Sequence, residues 1–215
     1  MGVIENLHLI KQTIPQSVCL IAVSKTQSNN DILKAYNTGQ KNFGENKVQE
    51  LVQKQEKLPK DIRWHMIGHL QTNKVKFIAP FIDMIHSVDS LKLINEIDKR
   101  AKQNNRIIDC LLQVHIANEK TKFGFEPDKI EGVIEETKKN KNINIKGLMG
   151  MASFTDKKNE IIKEFSLINK LFKKVQNEKI NVLSTGMSSD YLIAIENGSN
   201  MIRLGSIIFG KRNYL

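Results

Sequence analysis

Short apolar runs alternate with longer stretches of helical period along nearly the whole chain. The runs are Val18–Val23, Lys41–Phe43, Arg63–Met66, Met84–Ser87, Ile108–His115, Ile145–Met149, Val182–Ser184 and Met201–Leu204. Brief apolar segments of this kind, bounded by polar turns, read as buried strands. Between them, Asn30–Thr38, Asn46–Lys57, Thr72–Ala79, Ser90–Asn104, Pro127–Asn140, Lys157–Glu178 and Tyr191–Asn197 have the spacing of amphipathic helices. Ser90 stands before LKLINEIDKR as an N-cap, and Pro127 suits a first helical turn. Gly39 and Gly198 fall where helices should stop. Met1–Thr13 adds a helix ahead of the first strand.

Strands that alternate with helices pair in parallel, because each crossover helix returns the chain to the same edge. Eight such units predict closure into a (β/α)8 barrel of TIM type, α/β in class. The 215 residues leave little room for anything further, so one domain spanning 1–215 is expected. An open doubly wound sheet is the competing architecture. It loses its main support because SKTQSNN, after the first run, is not a glycine-rich turn.

Composition changes this picture little. The hydrophobic fraction is 40% and the charged fraction 26%, as in ordinary globular proteins. No apolar run approaches the ~20 residues that cross a bilayer. The start, MGVIENLHLIKQTIPQ, has neither the basic start nor the apolar stretch of a signal peptide. A cytoplasmic protein without a membrane partner is expected. The formal charge of +10 raises the question of nucleic acid. Its excess lysines lie in segments such as EETKKNKN and KLFKKVQNEK, which read as solvated helix faces. Single-strand binders interleave basic residues with exposed aromatics, a pattern not apparent here, so no nucleic-acid partner is expected. Cys19 and Cys110 sit within apolar runs and read as buried thiols, not a disulfide framework.

In such a barrel the chemistry gathers at the C-terminal ends of the strands. Lys25 directly follows the first run, LIAVS, and should point into the mouth. Partial burial disfavours the ammonium form and exposes a nucleophilic amine, the condition for a Schiff base with an aldehyde. A lysine merely paired with Glu45 is the alternative. A second signal follows the seventh run, where Ser184-Thr185-Gly186-Met187-Ser188-Ser189-Asp190 leads into a helix, and the eighth, where Arg203-Leu204-Gly205-Ser206 stands. Loops after strands 7 and 8 hold phosphate in many barrels. Glycine admits the anion to the backbone, serine donates, and a helix start offers N–H groups. Simple helix capping by Ser188 or Ser189 is the alternative. An amine facing a phosphate cradle suits a phosphorylated aldehyde, although a phosphorylated sugar handled as in a class I aldolase also fits.

No metal is expected. His65 and His69 are four apart, but WHMIGHLQ reads as a strand entering a loop, so they do not share a helix face, and His86 and His115 complete no ligand set. These histidines read as groups that orient loops at the mouth. No G-x-S-x-G elbow supports a serine hydrolase.

The segments AVSKTQ, FGENKVQE, WHMIGHLQTNK, IHSVDS, TKFG, GLMGMA, TGMSSDYLIAIENGSNMIRLGS and IFG, in this order, resemble the YggS/PROSC family of pyridoxal phosphate homeostasis proteins. The resemblance implies a fold type III barrel like the barrel half of alanine racemase, with pyridoxal 5′-phosphate bound. It implies Lys25 as the Schiff-base lysine and Asn46 beside the cofactor ring. Ser188, Gly205 and Ser206 match phosphate-binding positions, with Gly186 shaping the loop, and Arg203 matches an arginine facing the pyridine nitrogen. Met66, with Ile67 and Gly68, matches a stretch near the ring. The sequence departs at His115, where the family often has asparagine, at Gln27, where a basic residue is common, and in the short tail KRNYL.

A guanidinium cannot take up a proton from the ring nitrogen, so the ring should be a weak electron sink. A two-base racemase would need a second base, and Tyr36, Tyr191 and Tyr214 occupy no equivalent motif. The expectation is a monomeric carrier or buffer of vitamin B6 that serves apo-enzymes and has little catalysis of its own. An amino-acid racemase is the alternative.

Overall fold

A computed structural model describes residues 2–117 and 123–210. Eight parallel strands close into a barrel in chain order, each hydrogen-bonded to the next and β8 to β1. They are β1 (Cys19–Val23), β2 (Asn42–Glu45), β3 (Arg63–Met66), β4 (Met84–Val88), β5 (Ile108–Val114), β6 (Ile143–Gly150), β7 (Val182–Ser184) and β8 (Met201–Leu204). The expected doubly wound alternative is thereby excluded.

The N-terminal helix α1 (Val3–Thr13) packs beside the barrel. The crossovers are α2 (Asn29–Asn37), α3 (Val48–Lys57), α4 (Val75–Ile78), α5 (Leu91–Gln103), α6 (Ile130–Thr137), α7 (Lys158–Val175) and α8 (Tyr191–Glu196). Ser28 and Ser90 cap α2 and α5 by accepting from Asp31 N and Leu93 N. The expected helices Thr72–Ala79 and Pro127–Asn140 each open as a tight 3-10 turn, Thr72–Lys74 and Pro127–Lys129. A last short helix, α9 (Ser206–Phe209), was not expected, since four residues are too few to display a period.

The pleat sorts side chains between two cores. Outward residues such as Ala22, Phe43, Trp64, Ile85, Leu112 and Leu148 join Ile32, Leu51, Ile97 and Phe165 of the helices in one large apolar layer. Inward residues Ile21, Met84, Leu111, Met149 and Met201 make a small second core inside the barrel. Above it the lumen turns polar, with His65, His86, Gln113, Ser184 and Arg203 all buried. That change of chemistry along the axis leads to the mouth at the strands' C-terminal ends.

Candidate functional site at the barrel mouth

Strand β1 pairs with β8 so that Cys19 faces Met201 and Ile21 faces Arg203. The alternate positions Cys19, Ile21 and Val23 therefore point inward, and Lys25 stands two residues beyond the strand end, in the turn that leaves the mouth. A Cβ built on Gly205 would lie 3.4 Å from Val23 Cβ, so this lip of the mouth joins the end of β1 to the loop after β8. Lys25 is partly buried. Its neighbour Thr26 has φ 64°, the left-handed region that a β-branched residue seldom enters. Glu45, the alternative partner for Lys25, turns elsewhere. One of its oxygens, Oε1, accepts from Lys54 Nζ at 2.8 Å and from Ser24 Oγ at 2.6 Å, and its Oε2 has no hydrogen-bond partner. Burial pushes the Glu45 carboxyl up to about 7, against the opposing pull of Lys54.

The loops after β7 and β8 are stitched together. Gly205 N donates to Ser188 Oγ at 3.2 Å, and Met187 N donates to Asp190 Oδ1 at 2.6 Å. Helix α8 takes Asp190, not Ser188 or Ser189, as its N-cap residue, so simple capping by either serine is excluded. Ser188 instead bridges two strand ends, while Ser206 opens α9 exposed to solvent. Gly186 has φ 93°, and a Cβ there would come within 2.6 Å of Ala194 Cβ, so the turn into α8 admits only glycine. A cleft of about 290 Å³ adjoins this loop, lined by Met151, Ser153, Met187, Ser189 and Asp190 among others. A larger cavity of about 540 Å³, lined by Ile143 and Lys146, includes the start of β6 and is remote from the strand C-termini where barrel chemistry resides.

Arg203 lies at the floor, 4% exposed. Its Nη1 donates to Ser184 O at 2.8 Å and to Ser184 Oγ at 2.6 Å, and its Nη2 donates to Gly150 O at 3.1 Å. Burial lowers its pKa to about 10, which leaves it charged at neutral pH, and Asp190 pulls the other way. Among the described residues no carboxylate lies within ion-pair distance of it. The guanidinium can only donate, so Ser184 Oγ accepts from it and donates its own hydroxyl to His86 Nδ1, 3.2 Å away. His86 Nε2 then donates to His65 Nδ1 at 2.9 Å, and His65 Nε2 faces Asn42 Oδ1 at 3.4 Å. Burial holds both rings neutral. It lowers the pKa of His65 to about 3 and that of His86 well below its ordinary value, with His65 and Arg203 adding to the depression of His86. These histidines thus line the barrel interior instead of orienting loops. Their inward parity with Arg203 was the available signal.

Asn46 follows β2 ahead of α3, so the helix expected from Asn46 begins two residues later. A Cβ on Gly68 would meet Asn46 O at 2.5 Å, so Gly68 keeps the Asn46 backbone in place. Met66 turns its side chain away from the lumen. Its side chain is 1% exposed and belongs to the layer between sheet and helices, because β3 alternates Trp64 outward, His65 inward and Met66 outward. Ile67 is the inward neighbour, and a Cβ on Gly44 would touch it at 3.1 Å. On the far side, His69 Nδ1 lies 3.0 Å from Asp89 and its ring stacks on Phe123 at 3.8 Å. His115 Nδ1 lies 3.6 Å from Glu126. Residues 121 and 122 of the TKFG segment, the KRNYL tail and Tyr214 lie outside the described residues. Among the described residues no three His, Cys, Asp or Glu side chains are grouped to hold a metal ion.

Residues 3–213 match the family model described as alanine racemase, N-terminal domain. The pyridoxal phosphate homeostasis protein of Aquifex aeolicus is 40% identical over 200 residues, covering 91% of this chain and 87% of that one. Its counterpart in Helicobacter pylori is 42% identical over 199 residues, covering 89% and 87%. Among solved structures, PipY of Synechococcus elongatus without PLP superposes with a TM-score of 0.92 at 34% identity, covering 97% of this chain and 100% of that one. The PLP-bound form gives 0.88 at 33% identity with the same coverage. An alanine racemase from E. faecalis shares the fold alone, with a TM-score of 0.80 at 17% identity, and this chain covers 57% of its length.

Proposed function

This chain belongs to the alanine racemase N-terminal domain family and, within it, to the pyridoxal phosphate homeostasis proteins, and on that premise we propose that it binds pyridoxal 5′-phosphate at the barrel mouth and keeps it in reserve for other proteins. The observation that carries this reading is the buried Arg203 charge, without a carboxylate partner among the described residues, below a mouth where the loop after β8, tied to Ser188, packs against Val23 at the end of β1. A buried cation calls for an electron-rich partner, and a hydroxyl and N–H cradle suits phosphate. The residues present therefore fit the group. PipY, with about a third of its residues identical, was solved with PLP bound.

When bound, the cofactor supplies an aldehyde that condenses with a primary amine, with loss of water, and a pyridine ring that can take up electron density. In this reading Lys25 supplies the amine. Ser188, Gly205 and Ser206 hold the phosphate by hydroxyl and backbone donors, in a turn shaped by Gly186. Asn46 would border the ring, and Arg203 would face its nitrogen. Arg203 stays charged and can only donate, so it keeps a facing nitrogen as an acceptor. That weakens the electron sink and disfavours chemistry at an amino-acid Cα.

Against the racemase alternative, neither described tyrosine is placed as a second base. Tyr36 is spent on Asp61 at 2.7 Å beneath the Lys41 ammonium, and Tyr191 packs in the outer layer. No described helix is long and apolar enough to cross a membrane. We place the protein in the cytoplasm as a single-domain monomer that passes its cofactor to apo-enzymes.

The test is an absorption spectrum of protein incubated with pyridoxal 5′-phosphate, followed by borohydride reduction and peptide mapping. The expected result is a near-visible band, fixed by reduction onto Lys25 and missing in Lys25→Ala. Label on another lysine sinks the assignment of Lys25. Failure of the loaded protein to restore a cofactor-dependent apo-enzyme sinks the carrier role. Rapid solvent-deuterium exchange at Cα of one amino acid would favour the racemase.

A further inference from the structure

Three ionisable side chains on β2 and α3, Glu45 and Lys54 buried and Glu50 partly so, grip the chain on both sides of Lys25. Upstream, the Ser24 carbonyl accepts from Lys54 Nζ at 2.7 Å, and the Ser24 hydroxyl donates to Glu45 Oε1 at 2.6 Å. Downstream, Thr26 N donates to Glu50 Oε1 at 2.6 Å. The two peptide groups that flank the Lys25 Cα are thus held by their carbonyl and their N–H respectively. One ammonium ties the clamp together. Lys54 Nζ bonds Ser24 O, Glu45 Oε1 at 2.8 Å and Glu50 Oε1 at 2.6 Å, which uses all three of its protons. The Lys54 side chain is 6% exposed and that of Glu45 is fully buried.

Such an arrangement is costly to build, since each buried ion loses its water. A hydrophobic trio of equal volume would fill the space as well. The clamp also engages a strained element, because Thr26, at a left-handed φ of 64°, is the residue whose N–H donates to Glu50. From these contacts we infer that Lys54 and Glu50, with Glu45, are positioning residues that aim the Lys25 side chain into the mouth for capture of the cofactor's aldehyde.

This inference rests on the reading that Lys25 carries the cofactor. In that capture the neutral Nζ bonds to the aldehyde carbon, and the oxygen leaves as water with the two amine protons. The attacking amine must meet the carbon at bonding distance and angle, and a displacement of about 1 Å can cost a hundredfold in rate. The phosphate cradle lies on β7 and β8, which the clamp does not touch. Loosening the clamp should slow covalent capture and leave phosphate recognition intact.

The experiment compares wild type, Lys54→Met and Glu50→Ala. Lys54→Met removes the central ammonium, and Glu45 can then bind a proton. Glu50→Ala removes the Thr26 acceptor at a position whose side chain is 23% exposed, so folding is preserved should the first variant fail. Two quantities are measured in each. One is the rate at which pyridoxal 5′-phosphate becomes borohydride-fixed on Lys25. The other is the affinity for pyridoxine 5′-phosphate, which has the ring and phosphate but no aldehyde. The expected result is capture slower by about ten- to a hundredfold with pyridoxine 5′-phosphate affinity unchanged. Faster amide exchange at Thr26 in the cofactor-free variants should accompany it. Capture at the wild-type rate overturns the inference, and so does a parallel loss of pyridoxine 5′-phosphate binding, which marks general loosening. Wild-type protein that fixes nothing on Lys25 overturns the functional reading itself, and the inference with it.

Discussion

The buried histidines and Glu45 pull stability in opposite directions as the solution is acidified, and the difference can be measured. His65 and His86 are neutral in the folded barrel, with His65 titrating at about 3 and His86 well below the ordinary 6.5. The unfolded chain protonates them near 6.5, so their stabilising contribution is present above that pH and is lost as pH falls. Between about pH 7 and about pH 5 each costs roughly 2 kcal/mol, or about 4 for the pair. Glu45 behaves oppositely. Its folded pKa is about 7 against 4.5 unfolded, so the folded state binds the proton first. Its contribution is full below 4.5 and fades as pH rises through 7, and over the same interval it returns about 2 kcal/mol on acidification. Wild type should therefore lose only about 2 kcal/mol from these three groups, whereas Glu45→Gln should lose about 4. Glutamine retains an oxygen for Lys54 and Ser24, so the slope with pH is the diagnostic quantity. Other raised carboxyls, Asp83 and Asp190, are common to both proteins and cancel. Urea unfolding of both proteins across this interval measures the losses. Equal losses refute the assignment of the compensating proton to Glu45. Imidazole NMR signals of His65 or His86 that titrate near 6.5 in folded protein refute the burial argument altogether.

Other expectations concern single side chains. Gly186→Ala forces a Cβ to 2.6 Å from Ala194 Cβ at φ 93°, and should lower stability by about 1–3 kcal/mol, read from its urea midpoint. Met66→Ala empties a buried site in the outer layer and should cost about 2–5 kcal/mol, while the folded variant binds pyridoxal 5′-phosphate as wild type does. Weakened binding at full folding would mean that the outward side chain matters to the site after all. Ser188→Ala removes the acceptor for Gly205 N and a phosphate donor, and should weaken pyridoxine 5′-phosphate binding about tenfold by equilibrium titration. Unchanged affinity would remove Ser188 from the cradle.

The order of strands and helices, the closed parallel barrel and the outer core were legible in the chain, because each is a matter of local period. An apolar run of strand length and a helix with one apolar face state their own geometry, and eight repeats of the pair leave few ways to close. That Lys25 and the Ser188 and Gly205 loops follow strand ends was legible for the same reason, since they stand after recognisable runs. Tertiary structure decided everything that depends on which face of a strand points inward and on contacts between distant segments. Met66 and His65 differ by one step of the pleat, the least shift that exchanges the outer layer for the lumen. His86 and Ser184 meet across 98 positions of sequence, and Lys54 reaches Ser24 across 30. Such partners carry no shared local signal. Barrel closure brings them together, and the low dielectric of the interior then sets their protonation.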